Sequence, residues 1–432
     1  MRSVDVSAGR RGRRARGISA VLARGRAARA GGLLVALLAV AAGSQPAAVP
    51  ASRPAATAAV PRKDDVPAPD GPGSHGVGYR TVTIVDAGRH RTLATSVWYP
   101  TRARLPVPAA TEPDDLLGAG AGTGPTADDG PTADDGPTAA RYEIAPEVSY
   151  PSRVAVANAL PVPGRFPLVV FSHGSAGSRV QFASLAEDLA SHGYVVAAPD
   201  HPGDTMADVA AGPSESLLEL ASDRPMDVSA VLDWMLCPGR PFAAMVAADQ
   251  IAVVGFSFGG LTAIASSVGL LRAPADPRVR VSVGISPASQ ALPAALLARV
   301  RIPTLLIAGT ADGVTPPGPG ADTTFRELTG SPGRAEVVVT GATHNSFGDL
   351  CDQVYLTADG RVPAGIRLRM QLGALLTCLP PLADAAASQR VARWYTVAYL
   401  ERHLRGDTRY DRYLTQSAAA ALPLPVAVRS SP

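Results

Sequence analysis

The chain has 432 residues, 46% of them hydrophobic, which is enough for a sizeable core in one large domain or a few small ones. Its formal charge of +3 is unevenly placed: nine arginines against one aspartate give the first 30 residues +8, so the remainder carries −5 and offers no basic stripe for nucleic acid. The three cysteines show no Cys-x-x-Cys spacing and the seven histidines are scattered, which excludes a zinc module.

The basic leader runs into an apolar stretch over residues 31–42 and then into small residues, the arrangement of an export signal over residues 1–43. The stretch falls short of the ~20 apolar residues a membrane span needs, so a cleaved signal is favoured over an uncleaved N-terminal anchor. A paired arginine in the leader leaves the export route open between the general and twin-arginine systems. The expected location is therefore secreted or in the cell envelope. Residues 44–77, rich in Pro and Ala, read as a disordered linker. In an exported chain a cysteine pair tends to oxidise. Of the pairings open to three cysteines, Cys351 with Cys378 is the economical one, since both lie in the C-terminal region.

Ordered structure is expected over residues 78–410, with a tail at 411–432. Residues 81–85 and 93–98 read as two strands of an opening antiparallel hairpin. Residues 109–140 form a low-complexity acidic stretch with a tandem hexapeptide, Gly124-Pro125-Thr126-Ala127-Asp128-Asp129 and its repeat. The unit is too short and too polar for a solenoid, and nothing fixes its aspartates in a calcium-binding geometry, so it reads as a solvated loop.

From residue 167 the pattern changes to short apolar strands alternating with helices. Strands are predicted at 168–171, 194–198, 251–255, 279–285, 304–308 and 337–340. Phe182, Leu185, Ala186 and Leu189 recur at helical spacing ahead of Gly193; further helices are predicted over 214–236 and after Ser257. This alternation implies a mostly parallel sheet with helices on both faces, and active residues just past the carboxyl ends of strands.

At one such end stands Gly255-Phe256-Ser257-Phe258-Gly259. A serine flanked by glycines at a strand-to-helix turn is how a sheet presents a nucleophile. Asp312 follows the strand at 304–308 and His344 the strand at 337–340. The order Ser257, Asp312, His344 is the nucleophile–acid–base order of the α/β-hydrolase fold. His344 would take the serine proton and return it to the leaving group, while Asp312 would hold its tautomer. Phe171-Ser172-His173-Gly174-Ser175 follows a strand where such enzymes place an oxyanion loop, and the backbone N–H of Phe258 would supply a second donor. His173 is expected to brace that loop, and His201 to line the site. The gap between residues 285 and 304 has no room for a large cap, and residues 204–227 are expected to form a partial lid.

Together, Val97-Trp98-Tyr99-Pro100, Phe171-Ser172-His173-Gly174, Ala198-Pro199-Asp200-His201 and Gly255-Phe256-Ser257-Phe258-Gly259-Gly260 resemble the platelet-activating factor acetylhydrolase-like and dienelactone hydrolase-like branch of the α/β-hydrolases. The resemblance covers about residues 78–350. It implies carboxylic ester hydrolysis without cofactor or metal, with Ser257 as nucleophile, Asp312 as acid, His344 as base, and Ser175 and Phe258 as oxyanion donors. Dienelactone hydrolases use a cysteine where this chain has Ser257, and lipid-directed members often carry an apolar residue where it has Ser175. The expected partner is a small-molecule or lipid ester, with peripheral contact to a lipid surface, a monomeric state and no nucleic acid. Acyl transfer to an alcohol, polyester hydrolysis and a non-catalytic binding role remain alternatives on the same site.

Overall fold

The computed structural model describes residues 66–106, 136–212, 215–357 and 362–431. The expected export signal and most of the linker lie outside the described residues, as do residues 109–135 of the acidic stretch. Among the described residues are the strands β1 (Gly76–Asp86), β2 (Arg91–Thr101), β3 (Ala139–Ala145), β4 (Val148–Ala157), β5 (Phe166–Ser172), β6 (Val195–Pro199), β7 (Val246–Phe256), β8 (Val281–Ile285), β9 (Thr304–Gly309), β10 (Ala335–Val339) and β11 (Val426–Ser430). They form one sheet in the order β11-β10-β9-β8-β7-β5-β6-β2-β1-β4-β3. Strands β5 to β10 run parallel to one another. The β1–β2 hairpin joins this block antiparallel through β2 and β6.

The helices are α1 (Ala183–Ser191), α2 (Met206–Ala211), α3 (Leu217–Leu236), α4 (Phe258–Val268), α5 (Ala294–Leu297), α6 (Thr323–Glu327), α7 (Leu350–Leu356), α8 (Ala364–Leu375) and α9 (Ala385–His403). Successive side chains of a strand face opposite layers. Leu168 and Val170 pack with Val228, Val231, Leu232 and Met235 of α3, whereas Val169 and Phe171 pack with Leu185 and Leu189 of α1 and with Tyr395 and Tyr399 of α9. Helices thus cover both faces, which is why residues 168–171 of β5 and 251–254 of β7 read as unbroken apolar runs rather than alternating ones. Helix α3 starts at Leu217, later than expected, because Ser216 and Glu219 close a reciprocal capping box there.

Strand β5 lies between β6 and β7. The chain leaves β5 to one side and returns to the other, so a crevice opens beyond the carboxyl ends of β5 and β7. At that crevice β5 ends on Ser172, and Ser257 follows the last residue of β7.

Three stretches differ from expectation. Order begins before residue 78: the Gly73 N–H donates to Ser191 Oγ at 2.9 Å, and Gly76 and Val77 already belong to β1. Ala139 and Ala140, expected in the acidic loop, open β3, and the β3–β4 pair widens the sheet. Its Tyr142 and Tyr150 join Tyr79 and Trp98 in an aromatic cluster, with Trp98 Nε1 donating to Tyr142 Oη at 2.8 Å. The expected tail at 411–432 instead closes the sheet. Val426 pairs with Val339, so the short β-branched run Val426-Ala427-Val428 satisfies the free edge of β10.

Cys351 on α7 is disulfide-bonded to Cys378, just past α8, and Cys237 is free and exposed. No helix among the described residues is long and apolar enough to cross a membrane, and among them no group of three or more His, Cys, Asp or Glu is placed to hold a metal ion.

Candidate active site

Strand β7 stops at Phe256 and α4 begins at Phe258, leaving Ser257 alone at the turn. Its φ of 54° and ψ of −117° place a residue with a side chain in a region that L-residues avoid, and the surroundings hold it there. The Ser257 N–H donates to the Ile285 carbonyl at 2.9 Å, and its carbonyl accepts from Gly260, Leu261 and Ala288. The flanking glycines are sterically required. A Cβ on Gly255 would lie 2.0 Å from the Gly259 oxygen, and one on Gly259 would lie 1.9 Å from the Ser172 oxygen.

The loops after β9 and β10 bring the other two predicted residues to this serine. His344 Nε2 lies 2.9 Å from Ser257 Oγ, and His344 Nδ1 lies 2.9 Å from Asp312 Oδ2. The Phe256 ring packs against the imidazole at a centroid distance of 4.8 Å. Asp312 is buried, and its Oδ1 accepts the N–H groups of Val314 at 2.9 Å and Thr315 at 2.8 Å. The Thr315 hydroxyl lies 2.8 Å from Oδ2 and 3.1 Å from the Ser286 carbonyl. Burial alone would push the Asp312 carboxyl up, but the hydrogen bond and charge of His344, with the Thr315 donors, outweigh it and hold the group below the usual carboxylate range. The site can therefore take a proton from Ser257 and stabilise the resulting imidazolium with a fixed anion.

The loop after β5 lies beside this arrangement. Its Gly174 carbonyl accepts from His173 Nδ1 at 2.7 Å and from the Gly177 N–H at 3.1 Å. Ser175 Oγ and the Ala176 N–H both donate to Asp204 Oδ1, at 2.7 and 3.0 Å. The N–H groups of Ser175 and Phe258 donate to no acceptor among the described residues, which leaves both free for a ligand.

Beneath the loop lies a second Ser–His–Asp arrangement. Ser172 Oγ is 2.9 Å from His201 Nε2, and His201 Nδ1 is 2.9 Å from Asp227 Oδ2. All three residues are 0% exposed, so no substrate reaches them. His201, expected to line the site, is instead a buried strut. Its N–H donates to His173 Nε2 at 3.0 Å, and Arg91 pairs with Asp227 on the far side. Burial, with the charge of Arg224 second, lowers the His201 pKa to about 4, so the ring is neutral there. The lid expected over residues 204–227 is not free to move as a unit, because Asp204, Arg224 and Asp227 at its ends are buried charges within this network.

A mostly parallel sheet with a strained serine at the β7–α4 elbow, and a histidine and an aspartate on later strand ends, defines an α/β-hydrolase. The chain has that fold, and the proteins it is similar to include esterases. Residues 146–212 match the family model of platelet-activating factor acetylhydrolase, isoform II, a span that holds the loop after β5 but stops before Ser257. The chain is 25% identical to the platelet-activating factor acetylhydrolase of Canis lupus familiaris over 187 residues, covering 33% of this chain and 40% of that protein. It is 24% identical to cutinase 2 of Thermobifida cellulosilytica over 248 residues, covering 57% of this chain and 71% of the cutinase. The solved ferulic acid esterase of Streptomyces cinnamoneus superposes with a TM-score of 0.53 at 25% identity, covering 77% of this chain and 91% of that one. The matched stretch thus spans less than half the length of the mammalian relative.

Sequence reading missed Thr315, Asp204 and Arg224. The Val314 N–H two residues on closes an Asx-turn at Asp312, a geometry that does not require a threonine at the next position, so Thr315 left no mark. Arg224 and Asp204 left none either, because a charged residue in a helix and another in a loop normally face water.

Proposed function

We propose that the protein is a secreted carboxylic ester hydrolase that works through an acyl-enzyme on Ser257. The observation that carries the reading is the continuous hydrogen-bonded line Ser257–His344–Asp312 at a strained elbow. In the first half-reaction His344 Nε2 takes the Ser257 proton as Oγ bonds to the ester carbonyl carbon. The carbonyl oxygen becomes an oxyanion facing the free N–H groups of Ser175 and Phe258. The C–O bond then breaks, and the proton passes from His344 to the departing alcohol. Water, activated by the same imidazole, repeats the sequence and releases the carboxylic acid with Ser257 regenerated.

Only a 3₁₀ turn at Ser289–Ala291 and the four-residue α5 separate β8 from β9, which supports an open site for short-acyl or surface-presented esters, phospholipid-type esters among them. Peripheral contact with a lipid surface fits the exposed Leu368, Leu372, Leu375, Leu376 and Leu379, carried on and just after α8 beside the His344 loop. Export is supported by the leader and by the Cys351–Cys378 disulfide, a bond that persists in oxidising compartments. The test is Ser257→Ala with p-nitrophenyl acetate and a fluorophosphonate probe. Hydrolysis and labelling both vanish while the circular dichroism spectrum is retained; a variant with full activity refutes the mechanism. A chain-length series of p-nitrophenyl esters beside phospholipids then sets the acyl preference.

A further inference from the structure

Among the side chains of the buried charge network, one touches both the peptide that bears the Ser175 N–H and the ring of Phe258. Arg224 projects from α3 and is 0% exposed, although an isolated buried guanidinium is costly. Its Nη1 donates to the His173 carbonyl at 2.5 Å. Its Nη2 donates to Asp204 Oδ2 at 2.6 Å and to the Gly174 carbonyl at 3.3 Å. The guanidinium carbon stands 5.0 Å from the centroid of the Phe258 ring.

These contacts bear on the catalytic donors through plain peptide geometry. The Gly174 carbonyl and the Ser175 N–H belong to one planar trans peptide and point in opposite directions. A donor that fixes the carbonyl from below therefore aims the N–H away from the network. Asp204, held by Arg224, also takes the Ser175 hydroxyl and the Ala176 N–H, so the following residue cannot rotate freely. On the other side, a guanidinium over an aromatic face is a cation–π contact. Here the ring belongs to the residue whose backbone N–H is the second donor.

We propose that Arg224 is the positioning residue of the oxyanion hole: one buried guanidinium fixes the Gly174–Ser175 peptide and the Phe258 ring together, and so sets the spacing of the two N–H donors. The inference rests on the ester hydrolase reading above. Arg224 touches no substrate. Its effect falls on the tetrahedral intermediate, whose oxyanion needs both donors, and not on ground-state binding. The fork also explains the choice of arginine, since a lysine ammonium cannot reach two carbonyls and a carboxylate in one plane while covering a ring.

The experiment compares Arg224→Lys and Phe258→Leu with the wild type, using p-nitrophenyl acetate and its thionoester, whose sulfur is a poor hydrogen-bond acceptor. A trifluoromethyl ketone serves as the tetrahedral mimic. Arg224→Lys lowers kcat for the ester by about a hundredfold, the scale of losing one oxyanion donor, with KM within about twofold. Ketone affinity falls in parallel and thionoester turnover falls far less. Phe258→Leu keeps the backbone N–H and loses the ring, and it lowers ester kcat by about fivefold with the same selectivity. Equal losses on ester and thionoester, or unchanged ester kcat, overturn the inference. If Arg224→Lys does not fold, Phe258→Leu alone decides by the same two readouts. Ser257→Ala runs alongside: activity in that variant refutes the hydrolase reading itself, whereas an inactive Ser257→Ala with an unimpaired Arg224→Lys refutes only the role of Arg224.

Discussion

Replacing Asp312 by asparagine tests the site with almost no change of shape. Asp312 Oδ1 accepts two backbone N–H groups, from Val314 and Thr315. An asparagine has a single oxygen acceptor, and these two donors hold it at the Oδ1 position. Its NH₂ then occupies the Oδ2 position, 2.9 Å from His344 Nδ1, while the Thr315 hydroxyl can accept from it and still donate to Ser286. The amide donates to Nδ1, so the neutral imidazole carries its proton on Nε2, facing Ser257 Oγ, with no lone pair left to act as base. The same substitution in a Ser–His–Asp site drops kcat by about ten-thousand-fold, or about 5 kcal/mol in the barrier. The assay is p-nitrophenyl acetate turnover, with thermal unfolding as the fold control. Asp312→Asn with kcat within tenfold of wild type and an unchanged fold would show that Asp312 does not set the tautomer of His344.

Further outcomes can be checked on the same material. Gly259→Ala drives a Cβ to 1.9 Å from the Ser172 oxygen and 2.7 Å from the His173 oxygen. Overpacking costs about 1–3 kcal/mol, so urea unfolding should show a loss of that size together with lost activity. Gly365→Ala, where nothing lies within 4 Å of the added Cβ, should be neutral or stabilising by up to ~1 kcal/mol. The Cys351–Cys378 link closes a separation of 27 residues, and opening it with dithiothreitol should lower stability by about 3.5 kcal/mol on the chain-entropy model, read as a shift in the urea midpoint. His201, at about 4 in the fold, lies below its ordinary value, so the stability it contributes is present above pH ~6.5 and is lost as the pH falls through 4. The stability difference between wild type and His201→Asn should therefore shrink by at most about 3 kcal/mol from pH 7 to pH 4, and a pH-independent difference would count against a neutral buried ring.

Much of the site was legible because its parts are local. Gly255 and Gly259 flank Ser257 within one turn, and Asp312 and His344 each sit at the end of a short apolar strand. The parallel core was legible for the same reason, since strands buried on both faces are unbroken apolar runs. Elements defined by distant partners were not. Tyr142 and Tyr150 are ordinary residues until Trp98 and Tyr79 meet them across the sheet. Helix α9 shows no apolar stripe because it is buried nearly all round, with Ser388 and Gln389 satisfied by the carbonyls of Asp384 and Gly348. Likewise Ser172, His201 and Asp227 imitate a catalytic order in distance but not in exposure, a property that spacing along the chain does not carry.

The place of β11 has a consequence for the order of synthesis. Ser257 is made 87 residues before His344, and β10, which leads to His344, gains its outer neighbour only when residues 426–430 have been added. Chains are made from the N-terminus and domains complete as units. A growing chain thus carries its nucleophile for 87 residues before its base is made, and the strand that leads to the base gains its outer neighbour later still.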